Sequence, residues 1–188
     1  MRFNLARFAL PSGDAGIEDT VAKMRLLIQR GAQHPRVQAQ AQAIAASVRD
    51  VPDAPLARRY AILGAVRQWV DAHFEFQYDP INAELLYSAD AQLQIIAARG
   101  VMRADCDDAA ILYGALSLSL GYAVCVVCVG FSDTPKGLAG EVPFTHTWSQ
   151  AAPTAEGLAW IEGDVTRQAQ AIPVDRIARV KTWPLFSD

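Results

Sequence analysis

Three residues in this chain have the types and spacing for joint chemistry: Cys106, His146 and Asp164. The stretch Ala104-Asp105-Cys106-Asp107-Asp108-Ala109-Ala110 reads as a loop that stops abruptly at the start of a helix. Asp105 is a good N-cap residue, and Asp108, three positions on, can return a hydrogen bond in the manner of a capping box. Cys106 then falls in the first helical turn, where unpaired backbone N–H groups and the helix dipole favour negative charge. Such positions lower a thiol's pKa and make the sulfur nucleophilic. Asp107 and Asp108 oppose that effect unless they point away, and an imidazolium partner would do more than the dipole.

The imidazole comes from a later hairpin. Pro143 to Gln150 alternates, with Phe144, His146, Trp148 and Gln150 on one face and Thr145, Thr147 and Ser149 on the other. Leu158 to Val165 reads as the returning strand. A turn centred near Ala155 sets His146 opposite Asp164, Trp148 opposite Glu162 and Gln150 opposite Trp160. Directly opposed side chains have Cβ atoms roughly 4.5–5.5 Å apart, within reach for a carboxylate to hold an imidazole N–H. If that face packs on the start of the cysteine helix, the other ring nitrogen reaches the sulfur, giving nucleophile, base and orienting acid. A register slip of one residue would break the pairing. Asp164 as a simple turn former, and Glu162 as the acid in its place, are the competing readings.

The elements that must position these groups can be read in order. Residues 1 to 14 read as an extended arm or edge strand anchored by Phe3, Leu5 and Phe8. Helices are expected from about Gly16 to Arg30, with Gly31 as the stop, from Pro35 to Arg49, and from Leu56 to His73. Phe74 to Tyr78 is an extended exit, and a loop follows through Leu85 and Leu86. Ser88 caps a helix from Ala89 to Arg99 that Gly100 ends. The cysteine helix buries a stripe of Ile111, Leu112, Leu116 and Leu120. Tyr122 to Phe131, rich in valine, is a buried strand. Beyond Arg167 a tail carries Ile172-Pro173, a short helix near Asp175 to Arg179, and an anchor of Trp183, Leu185 and Phe186. Helices first and a strand meander after them predict an α+β domain with segregated layers.

Composition sets the outer limits. The chain has 188 residues, 52% hydrophobic and 20% charged, which suits one globular domain with a substantial core. The formal net charge is −3 and no Lys/Arg cluster occurs, so nucleic acid and anionic membrane are not expected partners. Met1 to Leu10 is interrupted by Arg2, Asn4 and Arg7, unlike a signal peptide, and no run is long enough to span a bilayer. Three cysteines argue against a disulfide framework and for a cytoplasm with reduced thiols. Cys125 and Cys128 have C-x-x-C spacing, but in mid-strand they point to opposite faces and pack rather than bind zinc. The Asp105/Asp107/Asp108 cluster lacks the glycine turn and terminal glutamate of a calcium loop. No metal and no cofactor are expected.

Four blocks in order resemble a known family: Asp105-Cys106-Asp107-Asp108-Ala109-Ala110 opening a helix, Gly121-Tyr122-Ala123-Val124, Thr145-His146-Thr147-Trp148, and Trp160-Ile161-Glu162-Gly163-Asp164. Together they resemble the transglutaminase-like superfamily, in particular its small bacterial and phage cysteine-peptidase-like members, over roughly Leu56 to Asp164. The resemblance implies a papain-like or transglutaminase-like core in residues 56–166, with an N-terminal arm and helical extension (1–55) and a C-terminal tail packed on the core (167–188). It implies Cys106 as nucleophile, His146 as general base and acid, and Asp164 as the residue orienting the imidazole. The backbone N–H of Cys106 and a donor from Gln77 or Tyr78 would stabilise an oxyanion, with Trp148 on the cleft wall. The implied activity is thiol-dependent acyl transfer, foremost hydrolysis of a peptide or isopeptide bond in a peptide or protein substrate. The alternatives are a non-catalytic binding or assembly module on the same fold, as among phage morphogenesis proteins, and glutamine deamidation or cross-linking. A phage-encoded protein of this type would act in the host cytoplasm or on the virion.

Overall fold

The computed structural model describes residues 5–8, 14–49, 54–80, 84–136, 140–153, 159–166 and 174–185. The hairpin turn expected near Ala155, the Ile172-Pro173 pair and the Phe186 anchor lie outside these. Fourteen elements can be traced, beginning with β1 (Leu5–Phe8), α1 (Asp14–Ala32), α2 (Pro35–Ser47) and α3 (Pro55–Ala72). There follow β2 (Phe74–Phe76), β3 (Glu84–Tyr87), α4 (Ala89–Arg99), β4 (Met102–Ala104) and α5 (Cys106–Ser119). The chain continues with β5 (Ala123–Phe131), β6 (His146–Ala152), β7 (Ile161–Glu162), a 3₁₀ turn (Val174–Arg176) and β8 (Ile177–Leu185). The architecture is mixed helix and sheet.

Helix α5 is the hub. Every residue from Asp108 to Ser117 is buried, so the expected single apolar stripe is replaced by an all-round apolar helix inside the protein. Helices α1, α2, α3 and α4 surround it, and strands β5 and β6 lie against it. Val21, Met24 and Ile28 of α1 and Leu63, Val66 and Val70 of α3 share one core with Ile111, Leu112 and Leu116. Gly31 does not stop α1, which runs on through Ala32. A Cβ there would lie 3.0 Å from Cβ of Ala115 and 3.1 Å from Cβ of Ala89, so the glycine serves a close crossing of helices. Gly100, at φ 82°, does end α4 as expected.

The main sheet has four antiparallel strands in the order β7-β6-β5-β8. Its α5-facing side carries Val124, Val126, Cys128 and Ala151. The other side holds a second cluster of Cys125, Val127, Val129, Phe131 and Trp148. The two cysteines of the C-x-x-C thus face opposite sides, as strand alternation requires. The tail supplies more than an anchor: the short helix expected near Asp175 to Arg179 is a 3₁₀ turn that ends at Arg176, and Ile177–Leu185 adds a nine-residue edge strand. Pro184 is tolerated there because an edge strand has one side without a ladder partner.

Two small ladders complete the architecture, and the first makes Leu5–Phe8 the edge strand that the N-terminal arm could supply. Strand β1 pairs antiparallel with β3, which the sequence suggests is a loop, and β2 pairs in parallel with β4. The second ladder sets Phe74, Glu75 and Phe76 beside Met102, Arg103 and Ala104, the residues that lead into Cys106.

One buried amide ties these pieces together. Gln92 is fully buried, and its Nε2 donates to the carbonyl of Tyr87 at 3.1 Å and of Asp108 at 3.0 Å. It therefore joins α4, β3 and the first turn of α5. Gln92→Leu should destabilise the protein by about 1–3 kcal/mol, the range for stranding buried polar partners. A lowered urea midpoint with an unchanged m-value is the expected reading.

Candidate functional site

The cysteine is placed by its cap. Asp105 has the extended conformation of an N-cap, and its Oδ1 accepts the N–H of Asp107 at 3.2 Å. Cys106 is the first residue of α5. Asp108 does not close a capping box. It is fully buried, and its Oδ1 accepts the backbone N–H of Tyr87 at 2.7 Å, which anchors β3 to the helix start.

The histidine and its acid meet, though not in the expected register. Gln150 lies opposite Glu162 and Ala151 opposite Ile161, two residues away from the expected pairing. A shift of two keeps every side chain on its own face, whereas a shift of one would have inverted them. Asp164 sits beyond the last ladder pair, and its Oδ2 lies 2.7 Å from Nε2 of His146. Both side chains are only 8% exposed. The other carboxylate oxygen, Oδ1, accepts the hydroxyl of Thr166 at 2.9 Å and its backbone N–H at 3.1 Å. This Asp164-Val165-Thr166 turn fixes the carboxylate from behind. Glu162, the competing acid, is exposed and pairs with Gln150 across the ladder.

These bonds decide charge and tautomer. Burial raises the cost of ionising Asp164, but the hydrogen bond and charge of His146 and the two donors of Thr166 outweigh it and hold the carboxyl below its usual range. An ionised carboxylate only accepts, so Nε2 carries a proton toward Asp164, and Nδ1 is the ring nitrogen available to act as a base.

Cys106 and His146 line one cavity of about 200 Å³, together with Asp105, Asp107, Cys128 and Phe144. Ile17, Thr20, Val21 and Met24 of α1 form its remaining wall with Thr145 and Thr147. The face of β6 turned to α5 is that of Thr147, Ser149 and Ala151, not the expected face of His146 and Trp148. His146 reaches the cavity because it is the first residue of its strand.

The thiol itself is protonated at rest. Burial, then the charges of Asp107 and Asp105, push Cys106 well above the usual thiol range, and the backbone amide of Thr147 offsets only part of that. This corrects the expectation of a helix-activated thiolate: the first-turn dipole does not overcome burial and two adjacent carboxylates. Sγ donates to Oδ1 of Asp107 at 3.6 Å rather than to the imidazole.

The three residues expected around an oxyanion do not line this cavity. The N–H of Gln77 is taken by the carbonyl of Ala104 at 2.7 Å. Tyr78 is 81% exposed, with its ring edge-on to Phe76. Trp148 is buried in the second cluster, its ring 5.8 Å from that of His146. Sequence reasoning missed Thr166 and the part played by Asp107. A D-x-T turn after a candidate acid was the available signal for the first; no spacing signals the second. Among the described residues no group of three His, Cys, Asp or Glu side chains could hold a metal ion, and no helix is long and apolar enough to cross a membrane. Comparison with known proteins adds no relative: no family model, no curated protein and no solved structure matches the chain.

Proposed function

We propose that the protein is a thiol-dependent acyl-transfer enzyme of transglutaminase-like or papain-like fold, hydrolysing a peptide or isopeptide amide bond. The observation that carries this reading is a buried His146–Asp164 pair at 2.7 Å on a cavity that also holds a cysteine at a helix N-terminus. In this mechanism Nδ1 of His146 takes the proton from Cys106 Sγ once the substrate carbonyl is in place. The sulfur attacks the carbonyl carbon, and the backbone N–H of Cys106 stabilises the oxyanion. The imidazolium, steadied by Asp164, passes the proton to the leaving amine. His146 then deprotonates the water that hydrolyses the acyl-enzyme. Because the Cys106 thiol holds its proton until the carbonyl is in place, the reading is general-base catalysis rather than a standing ion pair.

The cavity is small beside the 300–1,000 Å³ or so of a typical small-molecule site, and suits one side chain or acyl group of a peptide rather than a whole ligand. Three free thiols, Cys106, Cys125 and Cys128, agree with a reducing cytoplasm as the place of action. Cys106→Ala should abolish both modification by a cysteine-directed electrophile in the folded protein and cleavage of candidate protein substrates, read by mass spectrometry. Unchanged labelling would move the reactive thiol elsewhere. A one-dalton gain, or a cross-linked product, would redirect the reading to glutamine deamidation or transamidation.

A second reading has its own support. Side chains of α1 wall the cavity and the sulfur is engaged by Asp107, which suits a binding or assembly module, as among phage morphogenesis proteins. Loss of partner binding in an α1 variant such as Ile17→Asp, with no amide turnover by the wild type, would favour it.

A further inference from the structure

Cys106 and Asp107 touch through their side chains on the wall of the cavity. We propose that Asp107 is a positioning residue: it holds the Cys106 S–H in a resting orientation turned from His146, and productive binding must break this contact before the imidazole can take the proton. The proposal rests on Cys106 being the nucleophile of the reaction above, and it adds a restraint that the triad alone does not contain.

The geometry is specific. Sγ and Oδ1 are 3.6 Å apart on adjacent residues of the first helical turn. A carboxylate only accepts, so the bond exists only while the sulfur keeps its proton. The rest of the cavity gives a thiolate little help. Asp105 stands on the helix side, and Cys128, with a thiol pushed up to about 12 by burial, stands on the β5 side. From α1 come only apolar side chains and Thr20; Glu18 on α1 and Lys181 on β8 bear on Cys128 instead. Among the described residues His146 is the single lining group that can become a cation, and its Nε2 is committed to Asp164. The elevated thiol is the expected companion of this arrangement, since burial first, and then both neighbouring carboxylates, disfavour the anion.

The restraint selects for substrate. A small electrophile that makes no contact with the cavity meets a protonated, engaged sulfur. A substrate that offers Asp107 an N–H of its own, as a peptide backbone does, replaces the S–H at Oδ1 and releases the sulfur toward Nδ1. The ligand class that unlocks the site is therefore an amide with a free N–H beside the scissile carbonyl.

The test is the pH profile of Cys106 alkylation by iodoacetamide in the full-length folded protein, followed by mass spectrometry. Asp107→Asn removes the charge but keeps an oxygen that can accept the S–H, whereas Asp107→Ala removes both; each should shift the profile to lower pH, the Ala variant further, with a several-fold faster rate at pH 7. Asp105→Asn, an equally good N-cap, removes a charge from the same cavity without touching the S–H bond, and should shift the profile less. Equal shifts in Asp107→Ala and Asp107→Asn would reduce Asp107 to background charge and overturn the proposal, as would superimposable profiles of Asp107→Ala and wild type. The catalytic reading fails separately: no amide turnover with the Asp107→Asn shift intact removes the enzyme and leaves the restraint standing.

Discussion

Asp164→Asn should cost about 10⁴-fold in amide turnover, the scale on which a triad loses activity when its imidazole is left in the wrong tautomer. The structure makes that outcome specific. Oδ1 of Asp164 receives both the hydroxyl and the backbone N–H of Thr166. A backbone N–H cannot turn into an acceptor, so an asparagine at this position must keep its carbonyl oxygen there. Its NH₂ group then occupies the place of Oδ2 and points at Nε2 of His146. Nε2 becomes the acceptor, the ring proton moves to Nδ1, and the nitrogen facing the cavity can no longer receive a proton from sulfur. Volume and packing hardly change, so circular dichroism should match wild type. Activity within tenfold of wild type would show that Asp164 does not set the tautomer.

The same carboxylate makes a stability prediction with a defined sign. Its pKa is lowered on folding, so it stabilises the protein above the unfolded-state aspartate value of about 3.9 and loses that contribution as the pH falls through the folded value. The stability gap between wild type and Asp164→Asn should therefore be full at neutral pH and close below about pH 4. Urea midpoints across that range measure it.

What the sequence could say follows from where the signals are local. Asp105 as N-cap, Cys106 as the first residue of α5, and Gly100 as the end of α4 depend on caps and left-handed glycine, and both act within a few residues. The alternation of β6 is local too, and its parity survived a register error of two. That parity is why His146 and Asp164 still meet. Register itself depends on the turn, whose length composition does not set. Strands β3 and β4 have four and three residues, too few to show a period, and they exist because α5 and its neighbours bring partners alongside. Strand β8 was obscured by Asp175, Arg176 and Arg179, whose charges suit a helix end as well as an exposed strand face. The turn of the sulfur toward Asp107 is a rotamer outcome, invisible to spacing. The buried state of Trp148 and the exposure of Tyr78 depend on which face of the sheet the helices cover, a tertiary choice.

Gly163 should be as intolerant of change as the residues of the proposed triad. An added Cβ would stand 2.1 Å from Cδ1, 2.4 Å from Cγ and 2.6 Å from Cε1 of Tyr113. That ring is fully buried in α5 and cannot swing into solvent, and its hydroxyl donates to the carbonyl of Ile161 at 3.0 Å. The strand segment must therefore back away from the helix. Retreat strains the bond from the N–H of Gly163 to the carbonyl of Ser149, 2.8 Å long, and carries Asp164 with it. Overpacking of this kind costs about 1–3 kcal/mol. A displacement of about 1 Å at a group that orients a catalytic base costs on the order of 10²-fold in rate. Gly163→Ala should thus lower both the urea midpoint and the turnover, whereas a merely structural glycine would lower the first alone. A double-mutant cycle isolates the cause. Tyr113→Leu is destabilising by itself, but it removes the ring edge that the new methyl meets, so adding Gly163→Ala to it should cost clearly less than adding it to wild type. Strict additivity of the two substitutions would mean that the ring is not what makes this position a glycine, and that Asp164 is held at His146 by its Thr166 turn alone.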